Sequence, residues 1–283
     1  MRNWKISVLF LLVSTYLFAQ DDLLNEIDTV AVDKRVNSSF KSLKIVNLES
    51  TKLASKGDLY FVVSHRFDYF KNGFDDFFGL DNANTRLQFV YGVTPWLSVH
   101  ASRSGFNKTY EAAGKYSLMH QEEGGFPFEI VGFNSIAINT ALEKDLLPLL
   151  EFEDRLSYVN QLLISRKFSD NLSLELAPTY FHENYVVDNN QDNSQFALGF
   201  GGRYKLTTRW SINMDYAAHL NRASNSPFTN PLSIGVDLET GGHVFQMHFT
   251  NSQAMHESGF LGNTSGKWSK SEIAFGFNLV RVF

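Results

Sequence analysis

The chain closes on Ile273, Phe275, Phe277, Leu279, Arg281 and Phe283, with Ala274, Gly276, Asn278 and Val280 set between them. Large apolar side chains alternate with small or polar ones, the period of a strand with one oily and one polar face. The same alternation recurs in twelve segments, roughly 57–69, 85–93, 97–106, 109–119, 126–140, 156–167, 172–185, 195–206, 210–220, 231–240, 243–251 and 271–283. Most have about the nine to thirteen residues that a tilted transmembrane strand needs.

The links between segments carry a second pattern. Short ones, such as Thr94-Pro95-Trp96, Ser169-Asp170-Asn171, Thr207-Thr208-Arg209 and Gly241-Gly242, alternate with long ones at Phe70–Asn84, Ala141–Arg155, Asn221–Asn230 and Ser252–Lys270. Outer-membrane barrels have this asymmetry, with tight periplasmic turns and longer outer loops. A short link around Asn107 breaks the trend.

Register supplies an independent check. A Gly241-Gly242 hairpin turn sets Thr240 against His243, Leu238 against Phe245, Val236 against Met247 and Ile234 against Phe249. The turn at 207–209 likewise sets Leu206 against Trp210, Tyr204 against Ile212 and Phe200 against Tyr216. Both hairpins collect their large apolar residues on one face, and a one-residue slip would scramble both.

The N-terminus changes the compartment. Arg2 and Lys5 precede an apolar run from Ile6 to Phe18, and Ala19 then precedes Gln20 and two aspartates. This reads as a secretory signal peptide over 1–19, with an apolar run too short to span a bilayer comfortably and a membrane anchor as the rival reading. Residues 20–56 form a polar extension, with one β-like stretch at Phe40–Leu48, placed in the periplasm or in the barrel as a plug. Residues 57–283 then make the barrel. A soluble sandwich also alternates, but it does not require an export signal, alternating loop lengths and a terminal aromatic residue. Phe283 resembles the C-terminal signal by which outer-membrane barrels are recognised for insertion. That implies outer-membrane lipids and the barrel-assembly machinery as partners. The fold class expected is all-β, a transmembrane antiparallel up-and-down barrel of about twelve strands in a bacterial outer membrane.

Composition adds exclusions. With no cysteine there is no lipoprotein anchor, disulfide or thiolate metal site. Twenty-six phenylalanines and eleven tyrosines suit a lipid face and its girdles. A net charge of −5 without a basic patch excludes a nucleic-acid partner. No cofactor is expected.

Several stretches look familiar beyond pattern: Ser64-His65-Arg66-Phe67, Phe78-Gly79-Leu80-Asp81-Asn82-Ala83 with Thr85-Arg86-Leu87, Gly201-Gly202-Arg203-Tyr204-Lys205-Leu206, and Asp237 through Gln246. From about Ser39 to the C-terminus the chain resembles an outer-membrane β-barrel family known as domain of unknown function family 5777. The resemblance implies the fold and brings no substrate, catalytic residue or cofactor.

With apolar residues facing lipid, the lumen receives Arg66, Arg86, Glu111, Lys115, Glu175, Arg203, Lys205, Asn213, Asp215, Asp237, Glu239, Gln246, His248 and Glu272. Their signs are mixed, whereas a charge-selective pore concentrates one sign at its constriction. Two functions remain open. One is a narrow channel or uptake porin for a small, unidentified solute, with these residues setting width and selectivity. The other is a closed structural or binding barrel whose charges pair across the lumen and whose outer loops engage a lipid or a protein.

An outer-membrane lipase is the minor third class. His248 and Asn251 in His248-Phe249-Thr250-Asn251-Ser252 point to opposite faces of a strand, so no triad is legible. Asp188–Asn193 lacks the spacing of a calcium loop, and His65, His219 and His256 are too scattered for a metal site. The Phe74–Phe78 run reads as phenylalanines folded over the rim, with lipid docking as the alternative.

Overall fold

Twelve antiparallel strands close on themselves, each paired to its sequence neighbours and β1 to β12. They are β1 (Leu59–Tyr69), β2 (Ala83–Thr94), β3 (Leu97–Ser104), β4 (Thr109–Met119), β5 (Glu129–Asn139), β6 (Leu156–Lys167), β7 (Leu172–Glu183), β8 (Ser194–Lys205), β9 (Trp210–His219), β10 (Leu232–Thr240), β11 (His243–Thr250) and β12 (Ala274–Val282). This computed structural model describes residues 34–186, 191–241 and 243–283. The signal peptide expected over 1–19 and the start of the extension lie outside the described residues, as do Asp188–Asn190.

The period-2 pattern decides which face each residue takes. On β2, Arg86, Gln88 and Val90 are buried while Leu87, Phe89, Tyr91 and Val93 are exposed. β8 and β9 repeat this, with Phe196, Phe200, Tyr204, Ile212, Met214 and Tyr216 outside. Large apolar residues on the outside and polar ones within invert the soluble arrangement and match a wall set in hydrocarbon. Closure leaves no unpaired sheet edge for lipid to solvate.

Both hairpin registers expected from sequence are present: Thr240 faces His243 and Ile234 faces Phe249, and Tyr204 faces Ile212 while Phe200 faces Tyr216. The short link after β3 sits at the long-loop end, so the ends do alternate. It is short because Asn107 and Lys108 take consecutive left-handed conformations (φ 51° and 46°), a tight turn between antiparallel strands. The long link between β11 and β12 carries a short helix, α1 (Glu257–Gly262), every residue of which is buried.

Phe283 lies at the short-turn end and closes the ladder against Leu59 through two backbone hydrogen bonds of 2.9 and 3.2 Å.

Candidate functional site in the barrel lumen

The interior is occupied by the chain itself. Residues 43–50 form a small hairpin: Ile45 N–H donates to Leu48 O and Ser50 N–H to Leu43 O, both at 2.9 Å, with Lys44 bridged to Glu49. Its arms carry Leu43, Ile45 and Leu48, all buried, and Val46-Asn47 forms the tip. The segment enters and leaves by the short-turn mouth, since Val36 N–H bonds Gln121 O in the β4–β5 turn and Gly57 N–H bonds Gly92 O near the end of β2.

Wall side chains from across the sheet hold this hairpin by its backbone. Asp215 Oδ2 accepts the N–H groups of Val46, Asn47 and Leu48 at 3.0, 2.6 and 2.9 Å. Glu175 accepts from Thr51 N–H at 3.0 Å. Gln246 Nε2 donates to Lys44 O and Ile45 O at 3.2 and 3.1 Å, and its own Oε1 accepts from Asn278. Lys115 Nζ, fully buried, donates to Leu43 O and Ser50 O at 3.1 and 3.0 Å and pairs with the Glu49 carboxylate at 2.6 Å. At the tip, Asn47 Nδ2 donates to Ser233 and Thr250, while its Oδ1 accepts from Arg66 at 3.0 Å.

Room for the hairpin is made by glycines facing inward on β8. A Cβ at Gly201 would lie 2.1 Å from Ile45 Cδ1, and one at Gly199 would lie 2.9 Å from Leu48 Cδ1. Either is far inside van der Waals contact.

The β11–β12 loop descends from the opposite mouth to meet the hairpin. Arg86 donates to Met255 O at 3.1 Å and pairs with Glu111, fixing the loop to the wall. Phe260, Leu261 and Ala254 then pack with Leu48 of the hairpin and with Val159, Phe181, Ala197 and Ala217 of the wall. That apolar layer fills the lumen toward the long-loop end, where Val159, Phe181, Ala197 and Ala217 lie within three residues of their strand ends. Beside it, Lys44 Nζ donates a hydrogen bond to the Glu257 carboxyl of α1.

The ionisation of this contact follows from its burial. Burial pushes Glu257 up to about 8 despite Lys44, with Glu111 and Glu49 adding like-charge repulsion. Burial also opposes the charge on Lys44, but the Glu257 and Glu49 carboxylates outweigh it and hold Lys44 above the usual lysine range. Burial disfavours the Glu49 carboxylate too, yet Lys115 and Lys44 hold it well below the usual carboxylate range. Burial lowers His256 to about 4.

Among the described residues, cavities lie at both mouths. The outer one, about 380 Å³, is lined by Asn107, Asn139, Arg155, Glu183, His256 and Asn263 among others. The other, about 350 Å³, lies at the short-turn end against Lys41, Lys52, Tyr60 and Glu239.

The residues singled out from sequence fall in three groups. Arg66, Arg86, Glu111, Lys115, Glu175, Arg203, Asn213, Asp215, Asp237, Gln246 and His248 are buried on the inner face. Lys205 and Glu239 are half-buried near the short-turn mouth, where Glu239 pairs with Arg203. Glu272 differs from expectation: it precedes β12 in the loop, accepts from Lys267 N–H and lies 3.7 Å from Lys71, away from the lumen. The alternation that placed it inside begins only at Ala274.

Neither nitrogen of the His248 imidazole has a hydrogen-bond partner, and Ser252 Oγ donates to Ala254 O. Among the described residues no His, Asp and Glu cluster suits a metal ion.

Sequence reasoning did not assign Lys44, Asn47, Glu49 or Glu257 a role. The run Leu43-Lys44-Ile45-Val46-Asn47-Leu48, apolar within a polar extension, and inward glycines at 199 and 201 on β8 were the available signals.

The model of a family described as a membrane-bound β-barrel domain, DUF5777, matches residues 40–283. The chain belongs to that family. The match begins at Phe40, so it takes in the internal hairpin as well as the barrel. A search of characterised proteins found no sequence match. Among solved structures, the NanC porin is 8% identical and superposes with a TM-score of 0.50 over 79% of this chain and 98% of that one. A KdgM porin, described in complex with disordered oligogalacturonate, is 9% identical over 79% and 99% of the two chains, with a TM-score of 0.49. Omp33 of Acinetobacter baumannii is 10% identical over 81% and 99%, with a TM-score of 0.46. At such identities the likeness concerns the fold: a transmembrane barrel of the outer-membrane type.

Proposed function

We propose that this family member is an outer-membrane channel for small polar solutes, held shut by its own N-terminal hairpin. It is not an enzyme in this reading. The observation that carries it is how the hairpin is bound. Asp215, Glu175, Lys115 and Gln246 hold its backbone by hydrogen bonds, and the segment joins the barrel at one mouth. A barrel that is merely closed can fill its lumen with apolar wall side chains. This wall keeps charged and amide groups that satisfy a removable segment and that water would satisfy in its place. Once the hairpin leaves, the lining offers both signs, with Arg66, Arg86, Lys115 and Arg203 against Glu111, Glu175, Asp215 and Asp237. A mixed lining of that kind favours small polar solutes over ions of one sign.

A disulfide lock tests the reading, because the native chain has no cysteine. Asn47 Nδ2 and Ser233 Oγ are 2.9 Å apart, so Asn47→Cys with Ser233→Cys ties the tip to β10. In planar bilayers the oxidised protein is expected to be silent and the reduced protein to show discrete openings. Silence from folded protein in both states would sink the channel.

The second reading is a binding barrel. It is favoured by the outer cavity, into whose lining His256 brings a buried Nδ1 with no partner.

A further inference from the structure

One sector of the outer wall is built differently from the rest. Around most of the barrel the lipid-facing positions carry bulky apolar side chains, such as Phe61, Phe89, Phe200, Phe245 and Phe277. On β3 to β6 small residues, Ala101, Ala112, Gly114 and Gly132, stand among bulky ones such as Val99, Ile136 and Leu162, and in the middle of the sector are Asn134 and Asn160.

Those two asparagines face each other across β5 and β6. Asn134 Nδ2 donates to Asn160 Oδ1, and Tyr116, lying across Gly132, donates its hydroxyl to Asn134 Oδ1 at 2.8 Å. Among the described residues the Asn160 Nδ2 group has no hydrogen-bond partner. Asn134 is five residues from either end of β5, so the pair lies near mid-wall. Lipid headgroups are then roughly 10–15 Å away along the strand, and acyl chains offer nothing to bond.

The neighbouring wall is also interrupted. Pairing between β6 and β7 lapses between Gln161↔Thr179 and Ile164↔Leu176, opposite Pro178, which has no N–H to give. Grooves of about 590 and 630 Å³ flank the asparagine pair on either side. Tyr116, Gly132, Pro178 and Leu198 contribute to one, Val99, Gly114 and Tyr158 to the other.

We infer that this face is the contact between two copies of the chain in the membrane. Polar groups in hydrocarbon are expensive and find partners in other protein segments, and small residues let backbones approach closely. The occupant is another copy because the patch is self-complementary. A carboxamide is both donor and acceptor, so identical amides pair with each other across a two-fold axis, as charged groups of one sign cannot. A ridge between two grooves likewise fits its own image.

The test uses the full chain in native outer membranes and in reconstituted vesicles. Ile136→Cys places a thiol beside the asparagines, and Met214→Cys places one on the far wall; both positions are lipid-facing and exposed. Cross-linking with a short bismaleimide is expected to give a dimer from Ile136→Cys and none from Met214→Cys. Asn134→Leu with Asn160→Leu, made in the Ile136→Cys background, is expected to abolish that dimer while heat-modifiable mobility shows the barrel still folded. Equal cross-linking at both sites, a product of other mass, or a dimer that survives the double leucine change would overturn the inference. So would a monomeric parent whose melting temperature rises with the leucines, the behaviour of amides that simply face lipid.

Discussion

Asp215 on β9 receives Asn47 N–H at 2.6 Å, and the same oxygen takes the N–H groups on either side of it. One carboxylate thus caps the whole turn of the internal hairpin. Left unmade, each buried N–H costs about 1–3 kcal/mol. Asp215→Ala is therefore expected to weaken hairpin docking by about 3 kcal/mol, roughly a hundredfold in the closed-to-open ratio. Asp215→Asn keeps one acceptor and falls between. Channel open probability in bilayers reads both, and a variant as closed as the parent would remove Asp215 from the docking account.

Lys115 is bonded to both arms of the hairpin and to Glu49. Lys115→Met leaves the buried Glu49 carboxylate with Lys44 alone, at 3.0 Å. Removing one partner of a buried pair costs about 3–5 kcal/mol. Thermal unfolding or hairpin protection from protease should register a loss of that order. Adding Glu49→Gln should recover part of it, and a double-mutant cycle measures the coupling.

A side chain at position 201 competes with Ile45 for the same space. Gly201→Val is expected to displace the hairpin and leave the lipid-facing wall intact. Leu48→Cys, buried in the parent, then becomes reactive to a water-soluble thiol reagent. Ile45→Ala combined with Gly201→Val should restore protection, because it removes the clashing Cδ1.

Glu257 makes closure depend on pH. Its pKa is about 8 where it is buried and near 4.5 once it is hydrated, so the closed form holds an extra proton between those values. Stability that rests on a raised pKa is full below the lower value and is lost as pH rises through the upper one. His256, lowered to about 4, and Glu49, lowered further, act on the acid side, and the carboxyls of Glu183 and Asp237 also face this interior, so a Glu257→Gln variant is what separates the share of Glu257 in a scan from pH 6.5 to 8. Open probability is expected to rise with pH, by up to ~1.4 kcal/mol per unit, and Glu257→Gln to flatten the rise. A parent that closes as pH rises would contradict the assignment.

The wall was legible in the sequence and its contents were not. Alternation fixes face by parity, so Arg66, Asp215 and Gln246 fall inward as soon as the strands are drawn. Glu272 shows the limit of parity, which has no meaning where the strand has ended. The hairpin obeys no such rule. Its contacts with Lys115, Glu175 and Asp215 span 65 to 169 residues of sequence, and a short apolar run flanked by polar residues does not announce its partner. Glu257 was hidden for the same reason, since its partner Lys44 lies 213 residues earlier.

The seat of the hairpin is assembled from β4, β7, β9, β10 and β11, although the hairpin precedes them all in the chain. First in the chain, it is last to have its seat complete, because five strands drawn from residues 109 to 250 must stand in place before every bond to it can form. Closure is thus a property of the whole ring and of no part of it.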